Sequence, residues 1–503
     1  MSFVHLHTHT EFSLLDGLTR IPDLVKKCKA TGMPAVAVTD HGNMFGMMRL
    51  FDACEKTADK DGNWAVKPIL GCEVYVAPRT RFDRKLEAKN ATGEEGLEDC
   101  VDPSGSRDAG YHLVLLAKNP VGFANLSKLV SKGFTEGFYY KPRIDKDILK
   151  EHSEGLIALT ACLGGEVQAR ILQNRLDQAE RVAREFRDIF GDDFYLEIQD
   201  QGFEKEKEII PYQIELSKKT GIPLVATNDA HYLNHEDSDL HDTLLCIGTK
   251  TLKRQERRMR FSTDQFYVKS PEEMRALFPQ NPEFFDRTLE IAAKVDLFPI
   301  TRKPVTPQFP VPPGETLESH FVATSREWFE RRVQENRPLW EAGVLKHAEE
   351  AYRKRLEFEL DTIIKMGFPG YFLLVWDFIA KAREMGVPVG PGRGSAAGSI
   401  VAWSLMITDI DPMQYDLLFE RFLNPERVSM PDVDIDFCRD GRQKVIDYVT
   451  EKYGRDRVSN IVTINQLKTK AVIKDVARVF EKDFTWANTL TKLVPQEPGK
   501  PIT

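Results

Sequence analysis

The sequence predicts an α/β chain: a (β/α) barrel over residues 1–297, then a mixed α+β region over 298–465. Three observations carry this. Short apolar runs in the first 235 residues end in polar motifs rich in histidine and carboxylate. A proline-rich stretch, Phe298-Pro299-Ile300-Thr301 through Pro312-Pro313-Gly314, interrupts regular structure. Beyond it, a helical, charged pattern (317–385) leads into a glycine-rich loop and then a run of alternating acidic and apolar residues.

The barrel elements follow in order. Phe3-Val4-His5-Leu6-His7-Thr8-His9 places three histidines at alternate positions, which on a strand share one face. Four further runs, Ala35–Val38, Ile69–Leu70, Leu156–Leu159 and Leu224–Val225, precede Thr39-Asp40-His41-Gly42, Gly71-Cys72-Glu73, Ala161-Cys162-Leu163 and Asn228-Asp229-Ala230-His231. Tyr111-His112-Leu113 belongs to the same series. Polar residues at the ends of successive buried strands are how a (β/α) barrel assembles a site. Imidazole, carboxylate and one thiolate suit Zn²⁺, Mn²⁺ or Fe²⁺ better than Ca²⁺. Arg79 to Arg107 is polar and rich in glycine, which predicts a mobile inserted loop.

In the second region, Gly386-Val387-Pro388-Val389-Gly390-Pro391-Gly392-Arg393-Gly394-Ser395-Ala396-Ala397-Gly398-Ser399 runs into Ile400-Val401-Ala402-Trp403. Glycines permit positive φ and close backbone approach. Ser395 is the expected N-cap of a small-residue helix, and free amides there with Arg393 would cradle phosphate. The loop is neither a Walker loop nor a dinucleotide fingerprint. Next comes Ser429-Met430-Pro431-Asp432-Val433-Asp434-Ile435-Asp436-Phe437-Cys438. On a strand, Asp432, Asp434 and Asp436 share one face, about 6.5–7 Å between neighbours. Aspartate is a poor strand former, so this row is unfavourable unless divalent cations neutralise it. Paired carboxylates holding two Mg²⁺ ions are the apparatus of phosphoryl transfer. With the loop, they predict a nucleoside triphosphate site.

The His-Leu-His-x-His-Thr, Thr-Asp-His-Gly, Gly-x-Glu and Asn-Asp-x-His series resembles the polymerase and histidinol phosphatase (PHP) domain. Pro-Val-Gly-Pro-Gly-Arg-Gly-Ser-Ala-Ala-Gly-Ser and Met-Pro-Asp-Val-Asp-Ile-Asp-Phe-Cys resemble the palm of the C-family replicative polymerases. Their order is similar to that of the bacterial polymerase III alpha family. The resemblance implies a distorted (β/α)7-type PHP barrel, a polymerase-beta-like palm, and the start of a helical thumb over 466–503. It implies nine PHP metal ligands, His7, His9, Asp16, His41, Glu73, His112, Cys162, Asp229 and His231, for up to three Zn²⁺ or Mn²⁺ ions. His5 is expected behind the ligands. In the palm it assigns Asp434 and Asp436 to catalytic Mg²⁺, leaving Asp432 aside, and Arg393, Gly394 and Ser395 to the incoming triphosphate. The implied activity is DNA-directed DNA polymerisation on primer-template DNA with deoxynucleoside triphosphates, with metal-dependent 3′–5′ exonuclease activity in the PHP domain. Implied partners are a sliding clamp, other replisome subunits and a proofreading exonuclease subunit. The family's third palm aspartate, on a Phe-Asp-Phe-Leu-Gly-like strand, has no counterpart between Cys438 and Thr503. A truncated chain, inefficient in synthesis alone, is therefore expected. Two rival readings are a free-standing PHP phosphoesterase and a PHP scaffold that binds a separate exonuclease.

Composition adds limits. Apolar residues make up 42% and charged residues 29% of the chain, an ordinary globular balance. No apolar run nears the roughly 20 residues a membrane span needs, and no basic-then-apolar leader opens the chain. The seven cysteines are scattered without a CxxC pair, which predicts reduced thiols and a cytoplasmic location. The net charge of −8 does not suggest general nucleic-acid affinity, so local charge matters. Lys253 to Arg260 is a compact basic run that usually means a solvated surface. Lys470, Lys474 and Arg478 recur every four residues opposite Val472, Ile473, Val476, Val479 and Phe480, which predicts a helix with a cationic stripe for DNA phosphates.

Overall fold

The computed structural model describes residues 2–84, 110–302, 305, 307–426 and 430–495. It divides into two compact units, 1–302 with 466–503, and 303–465.

The first unit is built on seven strands: β1 (Ala35–Val38), β2 (Lys67–Val76), β3 (Tyr111–Ala117), β4 (Arg143–Ile144), β5 (Leu156–Leu159), β6 (Phe194–Ile198) and β7 (Leu224–Ala226). The sheet order is β1-β2-β3-β5-β6-β7, with β4 beside β2. β1, β5 and β7 are continuous apolar runs, buried at every residue, because both faces are covered. Alternate residues enter different cores: Ala35, Ala37, Val114 and Leu116 face inward with Val4, Leu6 and Ile157. Val36, Val38, Leu113 and Leu115 face the outer helices. Ile291, Ala292 and Val295 join the inner core from the helix Glu283–Lys294 and its end. Lys67, at the start of β2, bonds the Ala292 and Val295 carbonyls, so this helix end lies at the N-terminal mouth.

Segment 5–9 does not form a regular strand. It links the two sheet edges through single hydrogen bonds: Ala37 N donates to His5 O and Thr39 N to Thr8 O on one side. His9 N to Ala230 O and Ala230 N to His7 O complete the other. The chain is thus the expected α/β type with a distorted barrel. One strand breaks the parallel pattern: β3 is antiparallel to both β2 and β5. His112 therefore precedes its apolar run, yet sits at the same rim as residues that follow theirs. Of the insertion expected at 79–107, Arg81 is anchored to Glu136 and Asp145; residues 85–107 lie outside the described residues.

The second unit is helical. Helices Leu317–Glu341, Glu349–Lys365 and Pro369–Glu384 enclose Phe321, Phe329, Tyr352, Leu360, Phe372 and Trp403. The acidic segment is extended, as its alternation requires, but among the described residues it forms no ladder. A lone antiparallel bridge pairs Phe437 with Val389, flanked by Gly390 N to Asp436 O and Cys438 N to Pro388 O, 2.8 and 3.0 Å. Val433, Ile435 and Phe437 turn to the core. The helix start also differs from expectation. Ser395 lies within a 3₁₀ turn, Gly394–Gly398, and Ser399 caps the following helix by accepting from Ala402 N.

Candidate metal centre and nucleotide site

All nine PHP positions converge on one rim of the barrel. Three groups of side chains bring ligand atoms within 4.8 Å of one another: His9, His41 and His231; His7, His9, Glu73 and Asp229; and Glu73, His112 and Cys162. Asp16 joins through His41, Oδ2 to Nε2 3.4 Å. His5 does not join; its Nε2 bonds the Lys269 carbonyl at 2.8 Å. Ala161 and Asp229 hold left-handed φ values of 62° and 44°. Such strain, of order 1–3 kcal/mol each, gathers at functional sites.

The donors fit a cation. His9 Nε2 and Asp229 Oδ1 lie 3.1 Å apart. Both atoms are buried, as is Asp16 Oδ1, and none has a hydrogen-bond partner among the described residues. Orphaned donor-set atoms cost free energy unless something positive lies between them. Electrostatics agree. Burial alone would depress His7, but Glu197 and Asp229 outweigh it and hold the imidazole well above its usual range. Burial likewise opposes His41, and Asp16 and Glu73 raise it well above. Burial would raise Glu73, yet His112 and His41 hold it well below the carboxylate range. His231 goes the other way: burial, then the neighbouring His9, pushes it down to about 3. A site this rich in paired charge is primed to exchange protons for metal.

Sequence reasoning missed the shell behind these ligands. His7 Nδ1 donates to Glu197 Oε1 at 2.7 Å, and Gln199 and Thr227 donate to the same oxygen. A carboxylate behind a histidine fixes its tautomer and raises its basicity. His241 Nε2 lies 2.8 Å from the Asp16 carbonyl. The centre opens into a cavity of about 170 Å³, whose other wall includes Phe203, Glu206, Arg260, Phe261 and Phe266.

The residues expected to hold the nucleotide lie in the second unit. Arg393 Nη1 donates to Asp434 Oδ2 at 2.9 Å and its Nε to Asp436 Oδ2 at 3.1 Å. The two carboxylates are half exposed and already converge on one cation, so the donor set fits divalent metal. Gly392 has φ +89°, and a Cβ there would come within 2.7 Å of Thr408. The loop turns where no larger residue fits. Behind it, buried Glu359 accepts from Ser399 Oγ at 2.7 Å and Val401 N at 3.2 Å.

The cationic stripe lies on the helix Thr469–Val479. Arg478 donates to the Thr251 and Ile247 carbonyls, and Lys474 stands 5.8 Å from the Phe484 ring centre. In the run 253–260, Lys253 pairs with Asp239 and Asp242, Arg254 with Glu481 and Arg258 with Asp242.

The model of the PHP domain matches residues 5–201, and that of the bacterial DNA polymerase III alpha NTPase domain matches 324–503. DNA polymerase III subunit alpha of Treponema pallidum is 45% identical over 499 residues, 99% of this chain and 40% of its own length. The Thermus aquaticus protein of that name is 45% identical over 554 residues, 100% of this chain and 43% of its own. The chain thus spans about 40% of the length of the curated relatives it matches. Solved structures of an amidohydrolase from Chromobacterium violaceum and a putative metal-dependent phosphoesterase from Bifidobacterium adolescentis overlap at 13% and 11% identity. They cover 45% and 55% of this chain and 87% and 95% of their own, with TM-scores of 0.28 and 0.26, too slight to bear on function. With both domain models in order and such relatives across nearly its whole length, the chain belongs to the bacterial DNA polymerase III alpha family.

Proposed function

We propose that this chain forms the PHP and palm portion of a replicative DNA polymerase that extends a primer 3′ end with deoxynucleoside triphosphates. In this reading residues 1–297 are the PHP domain, 298–465 palm and 466–503 the start of the thumb. The observation that carries it is the convergence of Asp434 and Asp436 on Arg393 beside the glycine loop. Mg²⁺ held by the two aspartates would supply the Lewis acidity that phosphoryl transfer needs. Arg393 would then exchange its carboxylate partners for phosphate oxygens, while the Gly394 and Ser395 amides hold the triphosphate in line. Lys470, Lys474 and Arg478 would meet the DNA backbone. The test is equilibrium binding of Mn²⁺ and a deoxynucleoside triphosphate. Asp434→Asn and Asp436→Asn should each weaken both at least tenfold without unfolding the chain; unchanged binding in either refutes the assignment.

The PHP centre supports a second activity, hydrolysis of a terminal phosphodiester. Its imidazole, thiolate and carboxylate donors suit Zn²⁺ or Mn²⁺, which would supply Lewis acidity toward a phosphate oxygen. His7 would be held to its ligand role by Glu197, and the cavity would admit the strand end. His9→Ala and Asp229→Asn should lose bound metal, by elemental analysis, together with hydrolysis of 3′-recessed DNA. A wild-type chain that binds metal but cleaves histidinol phosphate instead would favour the free-standing phosphoesterase. One that cleaves neither would favour the scaffold for a separate exonuclease. A sliding clamp and other replisome subunits are the partners this reading implies. The free thiols of Cys28, Cys54, Cys72, Cys162, Cys246 and Cys438 fit the reducing cytoplasm.

A further inference from the structure

Beside the metal ligands the cavity has a wall that the metal centre alone does not require. It comes from residues 259–262, Phe203, Glu206 and Phe266. The basic run that ends there is divided in its behaviour. Lys253, Arg254 and Arg258 are neutralised by acidic partners. Arg260 is exposed, lines the cavity, and makes no ion pair among the described residues. Beside it, Phe261 packs on Phe266 with ring centres 4.4 Å apart and stands edge-on to His231 at 5.1 Å and 80°. One side of that ring is thus tied to a metal-ligand position, within a cavity of about 170 Å³, far more than one water needs. Glu206 in the same wall does not cancel the arginine, because burial pushes its carboxyl up to about 8.

A guanidinium in search of an anion, next to an aromatic face and beside metal donors, has the chemistry of a nucleotide subsite. Arginine forks onto phosphate oxygens, and an aromatic ring offers every base a stacking partner, about 1–3 kcal/mol per base. We propose that Arg260 and Phe261 form the substrate wall of the metal centre, Arg260 binding a phosphate and Phe261 stacking the base of a strand's terminal nucleotide. This rests on the phosphodiesterase reading of the centre and deepens it: the site takes a nucleotide rather than any small phosphate ester.

The experiment is calorimetric titration of the Mn²⁺-loaded chain with thymidine 5′-monophosphate and, separately, deoxyribose 5-phosphate. Arg260→Ala should weaken both at least tenfold with metal content unchanged, and Arg260→Lys should recover part of the loss. Phe261→Leu should weaken thymidine monophosphate at least fivefold and leave deoxyribose 5-phosphate nearly unchanged. Wild-type affinity in both Arg260→Ala and Phe261→Leu, or no binding by the wild type at millimolar ligand, overturns the inference. Hydrolysis of 3′-recessed DNA separates it from the reading beneath. If the wild type cleaves and both variants keep its KM, the wall is wrong and the nuclease stands. If the ligands bind as described but no DNA is cleaved, the wall stands and the nuclease falls.

Discussion

Glu197 lies in β6, Phe194-Tyr195-Leu196-Glu197-Ile198, where every residue is buried. A lone acid in such a strand was a legible signal. No histidine or glycine motif stands beside it, however, and only the fold brings His7 to within 2.7 Å. Orienting carboxylates of this kind typically govern 10–100-fold of metal affinity. Glu197→Ala should therefore weaken Zn²⁺ binding by about that factor, read by competition with a chromophoric chelator, while Glu197→Gln loses less. The nine expected ligand positions come from the family resemblance; eight of them also stand out as metal-binding residue types in short motifs beside apolar runs, whereas Asp16 rests on the resemblance alone. His5, which alternation groups with His7 and His9 but the resemblance sets behind the ligands, stands outside the cluster and bonds the Lys269 carbonyl. Protonation also belongs to this scale. His7 and His41 hold their protons above the usual histidine range without metal, so metal must displace them. Affinity should rise with pH through and above neutrality, with proton release visible as a dependence of calorimetric heat on buffer ionisation enthalpy.

Elements were legible where periodicity is strong and illegible where direction or small residues decide. Periodicity two gives the acidic segment its faces, and the core side chains fall where alternation puts them. It cannot tell a ladder strand from an extended segment held by one bridge. It cannot give the direction of β3 either, since an apolar run reads the same both ways. In Gly394–Ser399 the small residues suit both a 3₁₀ turn and an α-helix. The choice falls to Gly398, where a Cβ would come within 2.6 Å of the Leu418 carbonyl, and to buried Glu359, which binds Ser399 and Val401. Glu359 is partnered by Arg355 at 2.7 Å. Removing one member of such a buried set destabilises by about 3–5 kcal/mol. Glu359→Ala should lower the second unit's unfolding free energy, read by urea denaturation, by an amount in that range and loosen the loop beside Arg393.

At the scale of the whole molecule, the two units should respond differently to loss of metal. The first holds its cluster of buried carboxylates and imidazoles together by mutual charge. Glu73, Asp16 and Asp229 have depressed values in the fold. Their contribution is present above the unfolded carboxylate range, about 4, and is lost as pH falls through the folded values. His7 and His41 are raised, so theirs is complete below about 6.5 and is lost as pH climbs through the folded values. The metal-stripped first unit should thus melt at a higher temperature at pH 6 than at pH 9. Metal in 100-fold excess over its Kd should add about 2.7 kcal/mol and flatten that difference. Differential scanning calorimetry resolves both effects.

The reversed direction of β3 has an outcome for how this barrel tolerates change. Val76 and Tyr111 sit opposite one another in register, so the chain leaves β2 and re-enters β3 at neighbouring points. Any splice between them is a closed excursion hung from a fixed hinge, and its entropy grows only with the logarithm of its length, about 0.6 kcal/mol per doubling. Inserting a few glycines and serines after Arg84 should therefore leave the barrel's melting temperature nearly unaltered, so evolution can tailor this rim without renegotiating the scaffold.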